Sequence, residues 1–146
     1  MFVEGMLDAA HKKLVTIGDD AKLIDAAKLL SSGTDLVVVC DRDGALQGII
    51  TKTDVVRQIS LCQGATCMCP VSTLMTRNVA MCRAADRLQD VSKLMKELHF
   101  KNIPVVDGNN RPIGVLTARE VLRILLSDAE YEEAQIIDYV KGFGYR

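Results

Sequence analysis

The chain is predicted to be an α+β protein: two tandem β-α-β-β-α repeats packed sheet to sheet with pseudo-twofold symmetry, followed by a C-terminal helix. Three observations predict it. First, the sequence repeats itself. Leu23, Asp25, Lys28 and Leu29 fall on Leu88, Asp90, Lys93 and Leu94 at a spacing of 65. Asp41, Gly48, Thr51, Val55 and Arg57 fall on Asp107, Gly114, Thr117, Val121 and Arg123 at a spacing of 66, so one residue is inserted near Ser32. Second, each copy carries the same succession of a helical stripe, a short apolar run, a polar turn and a second run. Third, a sheet of three short strands with two helices on one face stays half uncovered, and a second copy can cover it. One module over 1–146 is expected, with repeat one at about 14–59, repeat two at about 76–126, and a C-terminal helix and tail at 127–146.

Taken in order, Met1 to Lys13 carries Phe2, Val3, Met6 and Leu7. It is expected to be a strand or helix that docks on the body or on a second subunit. In the first copy Asp19 and Asp20 offer an N-cap, and Leu23, Ala26, Ala27 and Leu30 form a helical stripe that Gly33 ends. Leu36 to Cys40 is a continuous, β-branched apolar run, the pattern of a strand buried on both faces. The turn Asp41-Arg42-Asp43-Gly44 joins it to a hairpin partner, Leu46 to Thr51, and Thr53 to Ile59 closes the copy as a helix. In the second copy Leu88, Val91, Met95 and Leu98 give the helix, Ile103 to Val106 and Ile113 to Thr117 the hairpin, and Ala118 to Leu126 the closing helix. Ser127-Asp128-Ala129-Glu130 has capping-box spacing, so Asp128 to Lys141 is expected to be helical and Gly142 to Arg146 a tail.

Composition narrows the function. Among 146 residues, 49% hydrophobic and 25% charged, the formal net charge is −1, so no long-range field favours nucleic acid as a partner. No apolar run reaches membrane-spanning length, and Glu4, Asp8, His11, Lys12 and Lys13 interrupt any signal-peptide core. A cytoplasmic protein with no membrane partner is expected. Aromatic residues make up 4% and Trp is absent, which argues against a base-stacking or carbohydrate platform. The odd count of five cysteines reads as thiols. Cys40 sits in an apolar run. Cys62, Cys67 and Cys69, with Cys82 beyond them, lack a Cys-x-x-Cys pair, so unpartnered loop thiols are the default and no metal is expected. His11 and His99 are isolated, and no nucleophile-base constellation or phosphate-gripping glycine loop occurs, so an enzyme is not expected.

Two strand ends share a pattern: Gly48-Ile49-Ile50-Thr51-Lys52-Thr53-Asp54 and Gly114-Val115-Leu116-Thr117-Ala118-Arg119-Glu120. Each puts a hydroxyl and a carboxylate at the start of a helix. Read alone, each is an ordinary capping box that needs no ligand. Together with Met75-Thr76-Arg77-Asn78-Val79 and Asn102-Ile103-Pro104-Val105-Val106-Asp107, they make the chain resemble a tandem CBS domain pair, or Bateman module, standing alone. The resemblance covers about Leu14 to Leu126.

That resemblance implies an adenosyl ligand between the repeats: AMP, ADP, ATP or NAD, acting as a regulatory ligand, with no cofactor required. The strand-end carboxylate would accept hydrogen bonds from the ribose diol, and the helix N-terminus would favour phosphate. The better site it implies joins Thr51 and Asp54 to Thr76, Arg77, Ala80, His99, Phe100, Lys101, Asn102, Ile103 and Pro104. Ile103 and Ala80 would form an adenine slot, and Lys101 with His99 or Arg77 would meet phosphate. The mirror site would use Thr117 and Glu120 with Lys12, Thr16, Thr34, Val37 and Val38. There Glu120 replaces Asp and Val38 stands in place of proline, so it is expected to be weaker, differently selective or empty. The resemblance also implies a homodimer through Val55 to Ile59 and Val121 to Leu126, and an unknown regulated partner. Two other readings stay open: an interaction module with vestigial clefts that binds through Asp128 to Arg146, and a redox or metal sensor at Cys62, Cys67 and Cys69.

Overall fold

A single 3-10 turn (Val3–Met6) leads into α1 (Leu7–Lys12), and the first copy follows as β1 (Thr16–Gly18), α2 (Leu23–Ser31), β2 (Leu36–Cys40), β3 (Leu46–Thr51) and α3 (Lys52–Leu61). After a further 3-10 turn (Val71–Thr73), the second copy supplies α4 (Leu88–Leu98), β4 (Asn102–Val106), β5 (Pro112–Thr117) and α5, helical over 118–127. The computed structural model describes residues 1–61 and 68–127. The helix expected over Asp128 to Lys141, the tail after it, and Cys62 and Cys67 lie outside the described residues.

In the first copy the strand order is β1-β2-β3, with β1 parallel and β3 antiparallel to β2. In the second, β4 and β5 form an antiparallel pair, and the expected leading strand is reduced to one parallel bridge between Cys82 and Val105. Pro104 accounts for one lost rung. Its counterpart Val38 donates its amide to the Val15 carbonyl at 2.9 Å, one of the bonds that hold β1 to β2. Proline has no amide hydrogen to give, so the rung equivalent to Thr16 and Val38 is missing.

Both faces of β2 are covered, which explains its unbroken apolar run. Val37 and Val39 pack with Ala26, Leu30 and Ile50 under the helices of the first copy. Leu36 and Val38 face the other way and meet Leu46, Val106 and Val115 in a core shared between the two sheets. Fully burying a side chain such as Ile50 contributes about 1.5–3 kcal/mol.

The segments leading each copy are exchanged. Val3, Met6 and Ala10 are buried in the second copy's core with Leu88, Val91, Met95, Ile103 and Leu116, whereas Val71 and Met75 complete the core of the first. This exchange also corrects the expected helix start. Asp19 and Asp20 do not cap α2: its N-cap is Lys22, whose backbone amide donates to the Asp25 carboxylate at 3.4 Å. Instead the Leu23 amide donates to the Cys69 carbonyl at 2.9 Å, and in the second copy the Leu88 amide donates to the Met1 carbonyl at 3.0 Å. The exchanged backbone satisfies donors that a capping side chain would otherwise serve. At the other helix ends Gly33 (φ 106°) and His99 (φ 57°) occupy matching left-handed positions, as Gly44 (φ 83°) and Asn110 (φ 62°) do in the hairpin turns.

Candidate functional site

Each strand-end pattern is built the same way. A strand finishes on a threonine, the next residue begins a helix, and an acid follows three residues after the threonine. The two copies then differ in what meets the acid. Asp54 is 6% exposed, and its carboxylate is fully engaged. Oδ2 accepts from the Thr51 amide at 2.9 Å and the Thr51 hydroxyl at 3.2 Å. Oδ1 accepts from the Thr76 hydroxyl at 3.1 Å and pairs with the Arg57 guanidinium at 3.5 Å. Thr76 is held there by backbone bonds in both directions with Ile49, at 3.0 and 2.8 Å.

Glu120 is engaged on one side only. Oε1 pairs with Lys13 Nζ at 2.9 Å, while Oε2 is buried and has no hydrogen-bond partner among the described residues. The Glu120 amide donates to the Thr117 hydroxyl at 3.2 Å, so Thr117 caps α5. The difference between the copies traces to one position. The counterpart of Thr76 is His11, whose ring lies 3.3 Å from the Ile113 carbonyl and is not among the partners of Glu120. A buried acceptor left without a donor costs about 1–3 kcal/mol.

A cavity of about 260 Å³ is lined by Lys12, Lys13, Thr34, Asp35, Leu36, Asn102, Val115 and Thr117 among others; Glu120 does not line it, but its partners Lys13 and Thr117 do. It therefore draws on the segment before β1, the start of β2 and the β4–β5 hairpin. Lys12 and Lys13 bring positive charge and Thr34, Asn102 and Thr117 bring donors and acceptors, while Leu36 and Val115 give an apolar wall. Of the mirror-site residues expected from the sequence, Lys12, Thr34 and Thr117 line this cavity. Val37 and Val38 are fully buried in the two cores, so their side chains face no cleft, and Thr16 is exposed on the edge strand β1.

Of the better-site residues, Thr51, Asp54 and Thr76 come together as described. The others part company. Ile103 is fully buried in the second copy's core and Ala80 packs on the same core, so the two do not form an open slot with their side chains. Pro104 is buried and accepts a bond from the Cys82 amide at 3.0 Å. The Arg77 guanidinium donates to the Ser72 carbonyl at 3.0 Å. His99 serves α4 as its left-handed C-cap, and Phe100 and Lys101 are exposed. Asn102, assigned to the better site, lines the cavity instead. Sequence reasoning missed Lys13, Val15, Gly33, Asp35, Leu36 and Val115; the repeat carried a signal for Leu36, since it is the counterpart of Asn102.

Cys82 is pushed up to about 12 by burial and, secondarily, by the negative charge of Asp86, so it remains a protonated thiol across the physiological range. Cys40 is also raised, by burial and then by Asp41. Among the described residues no three His, Cys, Asp or Glu side chains converge as a metal would require, and no helix is long and apolar enough to cross a membrane.

Comparison with known proteins gives the same architecture a family. The CBS domain profile matches twice, over residues 7–61 and 71–127. A CBS-domain-containing protein of Agrobacterium tumefaciens superposes with a TM-score of 0.71 and 31% identity, over 84% of this chain and 91% of that one. CBSX2 in complex with AMP gives 0.74 and 26%, over 88% and 98%. The CBS domain pair of protein MJ0100, in complex with 5′-methylthioadenosine and S-adenosyl-L-methionine, gives 0.72 and 25%, over 88% and 98%. Among curated proteins the chain is 29% identical to the transcriptional repressor CcpN of Bacillus subtilis, over 81% of this chain and 58% of that protein. It is 27% identical to the L-aspartate semialdehyde sulfurtransferase of Methanocaldococcus jannaschii, over 80% of this chain and 22% of that enzyme. The chain thus spans about a fifth to three fifths of these two curated relatives.

Proposed function

Because the chain belongs to the CBS-domain family as a tandem pair, we propose that it is a regulatory module that binds an adenosyl ligand, an adenine nucleotide such as AMP, ADP, ATP or NAD, in the cleft at Glu120. The observation that carries this reading is a cavity lined by both repeats, two of whose lining residues, Lys13 and Thr117, are the partners of Glu120, whose Oε2 has no donor among the described residues. A ribose hydroxyl would donate to that oxygen, the apolar wall at Leu36 and Val115 would take the base, and Lys12 would meet phosphate. Solved relatives that hold AMP, 5′-methylthioadenosine and S-adenosyl-L-methionine support the ligand class.

The module catalyses nothing itself in this reading; the ligand acts through its difference in affinity between two states of the protein. Exposed apolar residues on α3 (Val56, Ile59) and α5 (Leu122, Leu126) suit a homodimer of two such pairs, with Val55 and Val121 turned inward to their own cores. A regulated partner protein would sense that dimer. The composition and the lack of a long apolar run in the sequence suit the cytoplasm.

Titration calorimetry with AMP, ATP, NAD and S-adenosyl-L-methionine tests the proposal. At least one is expected to bind, and Glu120→Gln is expected to weaken it about tenfold to a hundredfold, the worth of one charge-assisted hydrogen bond. Silence toward every adenosyl compound at millimolar concentration would end the proposal.

A further inference from the structure

The exchange of leading segments sorts the molecule into two bodies: the first copy with 69–76, and the second copy with 1–13. The bonds of the exchanged segments stay inside a body, as between Ile49 and Thr76, Leu23 and Cys69, or Val3 and Asp86. So do the ion pairs Lys13–Glu120, Lys52–Asp35 and Arg57–Asp54. The bodies meet through the apolar core of Leu36, Val38, Leu46, Val106 and Val115. Attraction of that kind is non-directional. The directional contact across it is made at the hairpin turns. The Leu46 amide donates to the Asn110 carbonyl at 2.9 Å, and the Asn110 side-chain amide donates back to the Leu46 carbonyl at 3.3 Å.

Asn110 is held ready for this by its own turn. Its amide donates to the Asp107 carbonyl at 3.1 Å, which also accepts from the Arg83 guanidinium at 2.9 Å, and the Asp107 carboxylate accepts from the Asn109 and Arg111 amides at 2.8 and 3.0 Å. Its left-handed backbone (φ 62°) is one that asparagine adopts more readily than most side chains. The contact has no mirror image. Cys40 pairs with Leu46 as Val106 pairs with Pro112, so the counterparts of Asn110 and Leu46 are Gly44 and Pro112. Glycine lacks the side-chain amide and proline the backbone one, so neither bond can be repeated on the other side.

We propose that the two bonds between Asn110 and Leu46 are the pivot of the module: they pin the repeats together at the turn end, and a change of angle between the repeats opens or closes the opposite end. Strands β3 and β5 each run from the turns to a threonine, Thr51 or Thr117, a distance of roughly 17 Å at 3.3–3.4 Å per residue. Rotation about the pivot therefore displaces the strand ends and leaves the turns nearly still. The cavity lies at the moving end, since Leu36 pairs with Thr51 and Asn102 with Thr117. Its width is thus the quantity that the pivot converts into an angle, whatever the module binds.

Amide exchange and residual dipolar couplings on the full chain test the pivot. Asn110→Asp replaces the side-chain donor with a carboxylate that repels the Leu46 carbonyl, at almost unchanged shape. In this variant the Leu46 amide is expected to exchange at least about tenfold faster, the worth of one hydrogen bond. The Thr76 amide, bonded within the first body, and the Cys82 amide, bonded within the second, are expected to change by less than about twofold. In the parent one alignment should fit the couplings of β2–β3 and β4–β5 together, whereas in the variant each hairpin still fits by itself and no single alignment fits both. Should Asn110→Asp fail to fold, Asn110→Gly, which keeps the turn and loses the side-chain bond, is read in the same way. An unchanged Leu46 amide would overturn the pivot. So would equal acceleration of all three amides, which would make Asn110 a contributor to global stability alone, or a faster Leu46 amide with the angle between the hairpins unchanged, which would leave the apolar core to set it.

Discussion

At the scale of single residues, close backbone approach sets the sharpest constraint. A Cβ on Gly48 would stand 2.7 Å from the Thr76 carbonyl oxygen and 2.9 Å from Met75 Sδ, and one on Gly114 would stand 2.8 Å from Ala10 Cβ. Both glycines lie where an exchanged leading segment crosses a strand. Gly48→Ala and Gly114→Ala are each expected to cost about 1–3 kcal/mol in denaturant titrations, as overpacking does. Gly108→Ala, where an added Cβ meets nothing within 4 Å, should stay within about 0.5 kcal/mol. If all three behaved alike, packing at the crossings would not be the reason for the first two. The repeat made Asp54 and Glu120 visible as a pair in the sequence. Their opposite states were not visible, because they depend on Thr76 reaching its acid and on His11 turning away, which only the packed segments decide.

At the scale of elements, the helical stripes, the doubly buried run Leu36–Cys40 and the two hairpins were legible, since each rests on local periodicity and turn chemistry. Two features were not. Helix α2 starts at Leu23 with a backbone carbonyl from Cys69 as its acceptor, so the aspartates before it have no capping task. The leading strand of the second copy is reduced to one bridge, and one of its lost rungs is due to Pro104, which lacks the donor that Val38 supplies. The inserted residue also finds its place: α4 runs Leu88–Leu98 against Leu23–Ser31 for α2, and each helix is followed by a left-handed residue. Glycine takes that position without strain in the first copy, whereas His99 bears a Cβ there. His99→Gly is therefore expected to raise stability by up to about 1 kcal/mol, read as a higher denaturation midpoint with an unchanged slope. A lower midpoint would show that the imidazole contributes more than its backbone strain costs.

At the scale of the whole molecule, each half is completed by a segment that precedes the other half in sequence. The pairing of two copies followed from the repeat, but the destination of Met1 to Lys13 did not: its apolar residues announce burial and not where. Met6→Ala is expected to cost about 2–5 kcal/mol. Hydrogen exchange should lose protection first in β4 and β5, although the substitution lies far from them in sequence. Loss confined to the first copy would contradict the exchange.

The same crossing governs how the polypeptide acquires its form while it is being made. Val3 and Glu4 hydrogen-bond to Asp86 and Ala84, and Met1 to Leu88, so this segment has no docking place until a much later stretch of chain has been made. At roughly 5–20 residues per second that wait lasts seconds, during which Val3 and Met6 stand open to chaperones or to a neighbouring copy.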